Sequence, residues 1–253
     1  MSKGSQQLAG QVALITGCVR RIGRAMALAL AEEGAAIVVH ARNSRDEAEA
    51  LAKEIEDMGG RAFVQLADIT KEAEVKTLVA NIVDHFGRLD ILINNAAIRK
   101  QTPFLDVSFD EWHEILAIVL DATFLCTREC VPHMIKAGGG AIINMGGISP
   151  YVGSFNRCHV QAAKSGLGGF SRGLAMELAP HKITVNVIAP GGIGGERSKT
   201  SPQSAPKPGG NQIPLGEGTF ENIANMAHAL CIPAGRYITG QTIHVNGGRY
   251  MSG

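Results

Sequence analysis

The sequence lacks three features that would place it in a broad class at once. It has no charge excess: 24 Lys and Arg stand against 23 Asp and Glu, a net charge of +1. Nucleic acids and anionic membrane surfaces call for a basic excess that neutralises phosphates, so neither is an expected partner. It has no apolar run of the ~18 residues that a membrane span needs. Its first residues, Met-Ser-Lys-Gly-Ser-Gln-Gln, carry no apolar signal-peptide core. Cysteines are few and odd in number, and Cys18, Cys126, Cys130, Cys158 and Cys231 show no paired metal spacing. They read as reduced thiols, and the expected location is the cytoplasm. The eight histidines are scattered too, so no metal is expected.

Apolar residues are plentiful at 45% against 19% charged, which excludes a disordered chain. A length of 253 residues fits one α/β domain spanning 1–253. Short Val- and Ile-rich runs predict strands at Val12–Thr16, Ile37–His40, Ala62–Leu66, Asp90–Asn94, Ala141–Met145, Ile183–Ile188 and Thr242–Val245. Between them, helices are expected over Ile22–Glu33, Arg45–Met58, Glu72–Phe86, Phe109–Lys136, Gln161–Leu178 and Glu221–Leu230. Seven strands alternating with helices imply a doubly wound, Rossmann-type parallel sheet with helices on both faces. The segment 191–218, with four prolines and eight glycines, reads as a substrate lid.

Thr16-Gly17-Cys18-Val19-Arg20-Arg21-Ile22-Gly23 falls between the first strand and the first helix. Glycine at such a turn lets backbone N–H groups approach a pyrophosphate at the helix N-terminus. The pattern resembles the Thr-Gly-x-x-x-Gly-x-Gly loop of the short-chain dehydrogenase/reductase family, with Arg21 in place of the middle glycine. The resemblance continues through Asp68, Asn94-Asn95-Ala96-Ala97, Ala163-Lys164 with Gly166, and Asn186 to Pro190-Gly191. It ends in Ile238-Thr239-Gly240-Gln241 and Val245-Asn246-Gly247-Gly248. It implies a nicotinamide cofactor touching Gly17, Ile22, Gly23, Asp68, Ile69, Asn94, Ala96, Lys164, Pro190, Gly191 and Ile193. It also implies a small-molecule substrate and a homo-oligomer, tetramer or dimer, joined partly through the long fourth helix, where Leu116, Leu120, Phe124 and Cys126 form an apolar stripe.

The sequence after the second strand distinguishes the two nicotinamide cofactors. A carboxylate there bonds the NAD ribose, whereas NADP needs cations for its 2′-phosphate. Here Ala41 replaces the acid, followed by Arg42-Asn43-Ser44. Arg20 and Arg42 match the basic pair of NADP-type members, and Arg21, His40, Asn43 and Ser44 offer further donors, so NADP(H) is expected.

At the chemical end the family pattern breaks. The resemblance calls for a tyrosine four residues before the lysine, a serine thirteen before that tyrosine, and an asparagine seven after the fourth-helix tryptophan. Lys164 is present, but Val160, Gly147 and Val119 occupy the three other places. Valine has no titratable proton, and glycine offers only backbone. Enoyl-reductase members set their tyrosine seven before the lysine, and that residue is Arg157 here. Candidate substitutes for the acid are Tyr151 and His159, and Arg157 is expected to bind an anionic part of a substrate. Two functions remain open: an NADP-dependent oxidoreductase with a remodelled proton-transfer site, or a non-catalytic NADP-binding or assembly protein.

Overall fold

The computed structural model describes residues 5–194 and 213–251. Seven strands form one parallel sheet: β1 (Val12–Ile15), β2 (Ala36–Ala41), β3 (Arg61–Leu66), β4 (Ile91–Asn94), β5 (Gly140–Met145), β6 (Ile183–Pro190) and β7 (Thr242–Val245). Their order in space is β3-β2-β1-β4-β5-β6-β7. The helices are α1 (Arg21–Glu32), α2 (Arg45–Asp57), α3 (Glu72–Phe86), α4 (Phe109–Leu116), α5 (Ala122–Ala137), α6 (Ser149–Val152), α7 (Cys158–Leu178) and α8 (Phe220–Cys231). The expected doubly wound fold is the observed one.

Strand alternation builds two cores. Ala13, Ile15, Ile37, Val39, Ile91 and Ile93 face α1, α2 and α8. Their neighbours Val12, Leu14, Ala36, Val38 and Leu92 face α3, α5 and α7. The central strands are therefore apolar at successive positions, as a sheet covered on both faces requires. Left-handed glycines end two helices: Gly87 (φ 75°) closes α3 and Gly138 (φ 95°) closes α5.

Three local features differ from the sequence reading. The helix expected over 109–136 is broken in character by a π-helical turn, Ala117–Asp121, between α4 and α5. Helix α7 starts three residues earlier than expected, and α6 is an additional single turn. Most of the expected lid, 195–212, lies outside the described residues. Strand order reverses between β1 and β4, which opens a crevice at the carboxyl ends of the strands, where α/β sheets bind ligands.

Candidate active site

A cleft of about 1350 Å³ occupies that crevice. It exceeds the usual volume for a drug-sized ligand and leaves room for a dinucleotide together with a second small molecule. One end is walled by Arg42 and Asp68, the other by Arg157 and Lys164.

The phosphate end is built on the turn from β1 into α1. Gly17 takes φ 62°, and its N–H donates to Nδ1 of His40 at 3.1 Å. The other ring nitrogen of His40, Nε2, is 3.1 Å from the Ala67 carbonyl. Nδ1 accepts, so Nε2 carries the proton and the ring is neutral. Burial pushes its pKa down to about 4. Both nitrogens are committed, so His40 has no donor left for a cofactor phosphate: it ties the glycine turn to the end of β3 instead. A second brace comes from Asn95, whose amide donates to the carbonyls of Thr16 (2.9 Å) and Gly17 (3.0 Å).

Most residues assigned to the cofactor from sequence come together here. Gly17, Arg20, Arg21, Ile22 and Gly23 line the cleft, followed by Arg42, Asn43 and Ser44 beside β2. Asp68, Ile69 and Ala96 continue the wall, and Pro190, Gly191 and Ile193 close it beyond β6. Arg20 is held by Glu47. Arg21 sits in the left-handed region (φ 54°), with its guanidinium 5.0 Å from the centre of the Phe220 ring. Asp68 accepts from the Thr70 hydroxyl at 2.7 Å and from the Thr70 N–H at 3.1 Å. Those bonds hold its carboxyl below the usual range, with Arg42 and Lys71 adding to the effect.

Asn94 is a correction. It is buried below the cleft, where its amide donates to Asn144 Oδ1 at 2.8 Å and Thr127 Oγ1 at 3.3 Å. Asn144 passes the chain on to Ser171 at 2.8 Å. Side chains alternate along a strand, so Asn94 points into the sheet–helix core while Asn95, just past the strand end, reaches the cleft.

At the chemical end, Lys164 lines the cleft and its ammonium donates to the Met145 carbonyl. Burial, then Arg157 and Arg99, lower its pKa to about 8. Val160 also lines the cleft, one turn before Lys164. It packs with Val119, Ile115, Ala163 and Leu167 in a small apolar cluster between α4, the π turn and α7. Two of the three missing polar positions are thus filled by mutual hydrocarbon packing. Gly147 differs: a Cβ there would meet nothing within 4 Å.

Neither proposed substitute acid reaches the cleft. The Tyr151 ring packs on His244 and Tyr250, with centroids 4.5 and 5.3 Å away, and its hydroxyl is 3.5 Å from Thr242 Oγ1 beside β7. His159 is fully buried on the other side of α7, with Nε2 3.1 Å from Glu111 Oε1. Burial lowers its pKa, Glu111 opposes, and Arg157 and Lys100 add to the lowering. Arg157, the residue before α7, does line the cleft, and burial lowers the pKa of its guanidinium.

The family model described as enoyl-(acyl carrier protein) reductase matches residues 17–249. The chain belongs to the short-chain dehydrogenase/reductase family. By that membership it is an NAD(P)-dependent oxidoreductase of the short-chain class. It is 39% identical over 242 residues to a Staphylococcus epidermidis 3-oxoacyl-(acyl-carrier-protein) reductase, covering 94% of this chain and 98% of that protein. A Synechocystis 3-oxoacyl-(acyl-carrier-protein) reductase is 37% identical, with 96% and 98% covered. Among solved structures, a blue fluorescent protein from a metagenomic library in complex with NADPH superposes with a TM-score of 0.88 at 33% identity. That match covers 97% of this chain and 100% of that one. A mutant Serratia marcescens short-chain dehydrogenase/reductase gives 0.87 at 32%, with 96% and 99% covered.

Within this short-chain dehydrogenase/reductase site, sequence reasoning missed Asn95 as the brace of the glycine turn and Arg99 as a cleft residue. Asn95 adjoins the motif asparagine, and strand parity is the signal that would have separated the pair. Arg99 follows β4 in a loop that has no regular period to read.

Proposed function

We propose that the protein is an NADP(H)-dependent oxidoreductase acting on a small carbonyl or alcohol substrate, with Lys164 as the group that moves the proton. The observation that carries this reading is a single cleft joining a cationic ribose end to a partly buried lysine whose pKa burial lowers to about 8. At the ribose end, Ala41 is buried where NAD-type chains place an acid, and Arg42 faces the cleft. Among the described residues Arg42 forms no ion pair, so its fork fits a 2′-phosphate. The exposed Arg20–Glu47 pair is weak enough to exchange for a phosphate contact. An NADPH complex among the structural neighbours supports the same choice.

When bound, the cofactor supplies or accepts a hydride. The chain must then orient the carbonyl and manage a proton. Among the cleft residues beside Val160, Lys164 is the side chain whose pKa falls near the working range of a general acid. Tyr151, packed on His244, and His159, beside Glu111, suit that role less well.

A second reading, a non-catalytic NADP-binding protein, is favoured by the apolar filling around Val119 and Val160. The two readings share the cofactor and differ in turnover. A homo-oligomer fits both: Phe104, Leu105 and Phe109 expose their rings or side chains at the start of the long helix, and Phe124 does so further along it. Cys126, assigned to the same stripe, faces the sheet instead, and Leu116 and Leu120 pack towards Val119.

Calorimetric titration with NADPH and NADH tests the cofactor assignment. NADPH should bind at least ~10-fold more tightly, and Arg42→Ala should remove most of that ratio while leaving NADH unchanged. Equal binding by the wild type would end the NADP(H) reading.

A further inference from the structure

Three cationic side chains gather at the substrate end of the cleft. Arg157, Lys164 and Arg99 all line it. The charges that act on Lys164 are those of Arg157 and Arg99, both of its own sign. The Nε of Arg157 is buried and has no hydrogen-bond partner among the described residues. Burying a guanidinium N–H without an acceptor is costly, and fully engaged donors are the rule in folded proteins. The two cations enter from one side: Arg157 just precedes α7, and Lys164 lies two turns into it. Between them Val160 presents an apolar wall, and across the cleft Gly147 leaves a space that a serine hydroxyl would fill.

We infer that this end of the cleft is a carboxylate-binding subsite, with Arg157 as the anchor, and that the substrate is a small oxo or hydroxy acid. This rests on the oxidoreductase reading above. A carboxylate matches the planar fork of a guanidinium with two parallel hydrogen bonds, and it supplies the acceptor that Nε lacks. The same negative charge neutralises the repulsion between Arg157 and Lys164. Anchoring the carboxylate orients the neighbouring carbonyl, a task that a serine hydroxyl at position 147 and a phenol at 160 would otherwise perform. The altered tetrad and the added cation then describe one site: hydrogen bonds to the reacting oxygen are replaced by an ionic clamp on the atom group beside it.

The test is calorimetric and needs no turnover. NADP⁺ binding is measured first, and malonate and its uncharged counterpart malonamide are then titrated into the NADP⁺-saturated protein. Malonate should bind at least tenfold more tightly than malonamide, and Arg157→Gln should lower malonate affinity at least tenfold with NADP⁺ affinity unchanged. Equal binding of malonate and malonamide, or equal malonate binding by wild type and Arg157→Gln, overturns the subsite. If Arg157→Gln does not fold, the wild-type comparison of the two probes decides alone. If NADP⁺ itself does not bind, the cofactor reading fails. The two probes are then titrated into the protein without cofactor, where tight malonate binding lost in Arg157→Gln still supports the subsite and its absence overturns it.

Discussion

His40 and Lys164 are both ionisable side chains drawn out of water, and burial shifts both in the same direction for opposite ends of one task. His40 is kept neutral so that Nδ1 can accept from Gly17. Its folded pKa of about 4 lies below the ordinary 6.5, so its contribution to stability is complete above pH 6.5 and is lost as pH falls towards 4. His40→Leu keeps the volume roughly but removes the acceptor. It should weaken NADPH binding by about 1–2 kcal/mol, read by calorimetry at pH 7, because the half-buried Gly17 N–H loses its partner. The same variant should flatten the acid limb of a melting-temperature profile between pH 4 and 6.5. Lys164 follows the same sign at higher pH. Its folded pKa of about 8 lies below 10.5, so the folded state penalises the ammonium and stability rises as pH climbs from 8 to 10.5. Lys164→Met should therefore fold and gain about 1–2 kcal/mol in urea unfolding at pH 7, the discount reflecting a side chain partly open to the cleft. A loss of stability on that substitution would mean that the ammonium is well compensated, which the charges around it contradict.

Among the elements, the turn into α1 and the π turn before α5 carry the departures from regularity. Arg21 adopts a left-handed backbone where the family pattern has glycine. Arg21→Gly should relieve about 1 kcal/mol of strain, offset in part by the lost stacking on Phe220. The π turn places Val119 against Val160, so Val119→Asn would drive an amide into hydrocarbon and should cost about 1–3 kcal/mol. Gly147→Ser should be near neutral, because its Cβ meets open space. Urea unfolding of the three variants gives the ordering directly. These elements also show how far the sequence could be read. All seven strands and the order of the helices were legible, because Val- and Ile-rich runs between glycine stops leave little alternative in a sheet buried on both faces. The π turn was not legible, because Leu116 to Ala122 keeps a helical period throughout. The cofactor loop was legible as a motif. The role of His40 was not, because a histidine beside a ribose site reads as a donor until the Gly17 N–H is seen to occupy it.

At the level of the whole molecule, the sheet, the glycine turn and the cleft carry the cofactor half of a short-chain dehydrogenase/reductase, while Val119 of the π turn and Val160 of α7 pack together with α4 beside Lys164. Tyr151 and His159 were reasonable candidates by distance along the chain, but one faces β7 and the other faces Glu111. Only the packing of α6 and α7 decides such directions. The aromatic side chains exposed at Phe104, Phe109 and Phe124 belong to the same scale. Light scattering at micromolar concentration should give a dimer or tetramer, and Phe109→Glu with Phe124→Glu should shift it towards monomer. A wild-type monomer contradicts that expectation.

Lys164 as the proton-moving group of a working enzyme is the central claim to test. The measurement is steady-state NADPH oxidation with a panel of small oxo acids and matched neutral ketones, for the wild type and Lys164→Met. The wild type should oxidise NADPH with at least one oxo acid, at a rate that falls as pH rises through about 8 and Lys164 loses its proton. Lys164→Met should bind NADPH yet be slower by at least ~10²-fold, the lower end of what a general acid contributes. A wild type that binds NADPH and oxidises it with none of these compounds, or a Lys164→Met variant that matches the wild-type rate, contradicts the account.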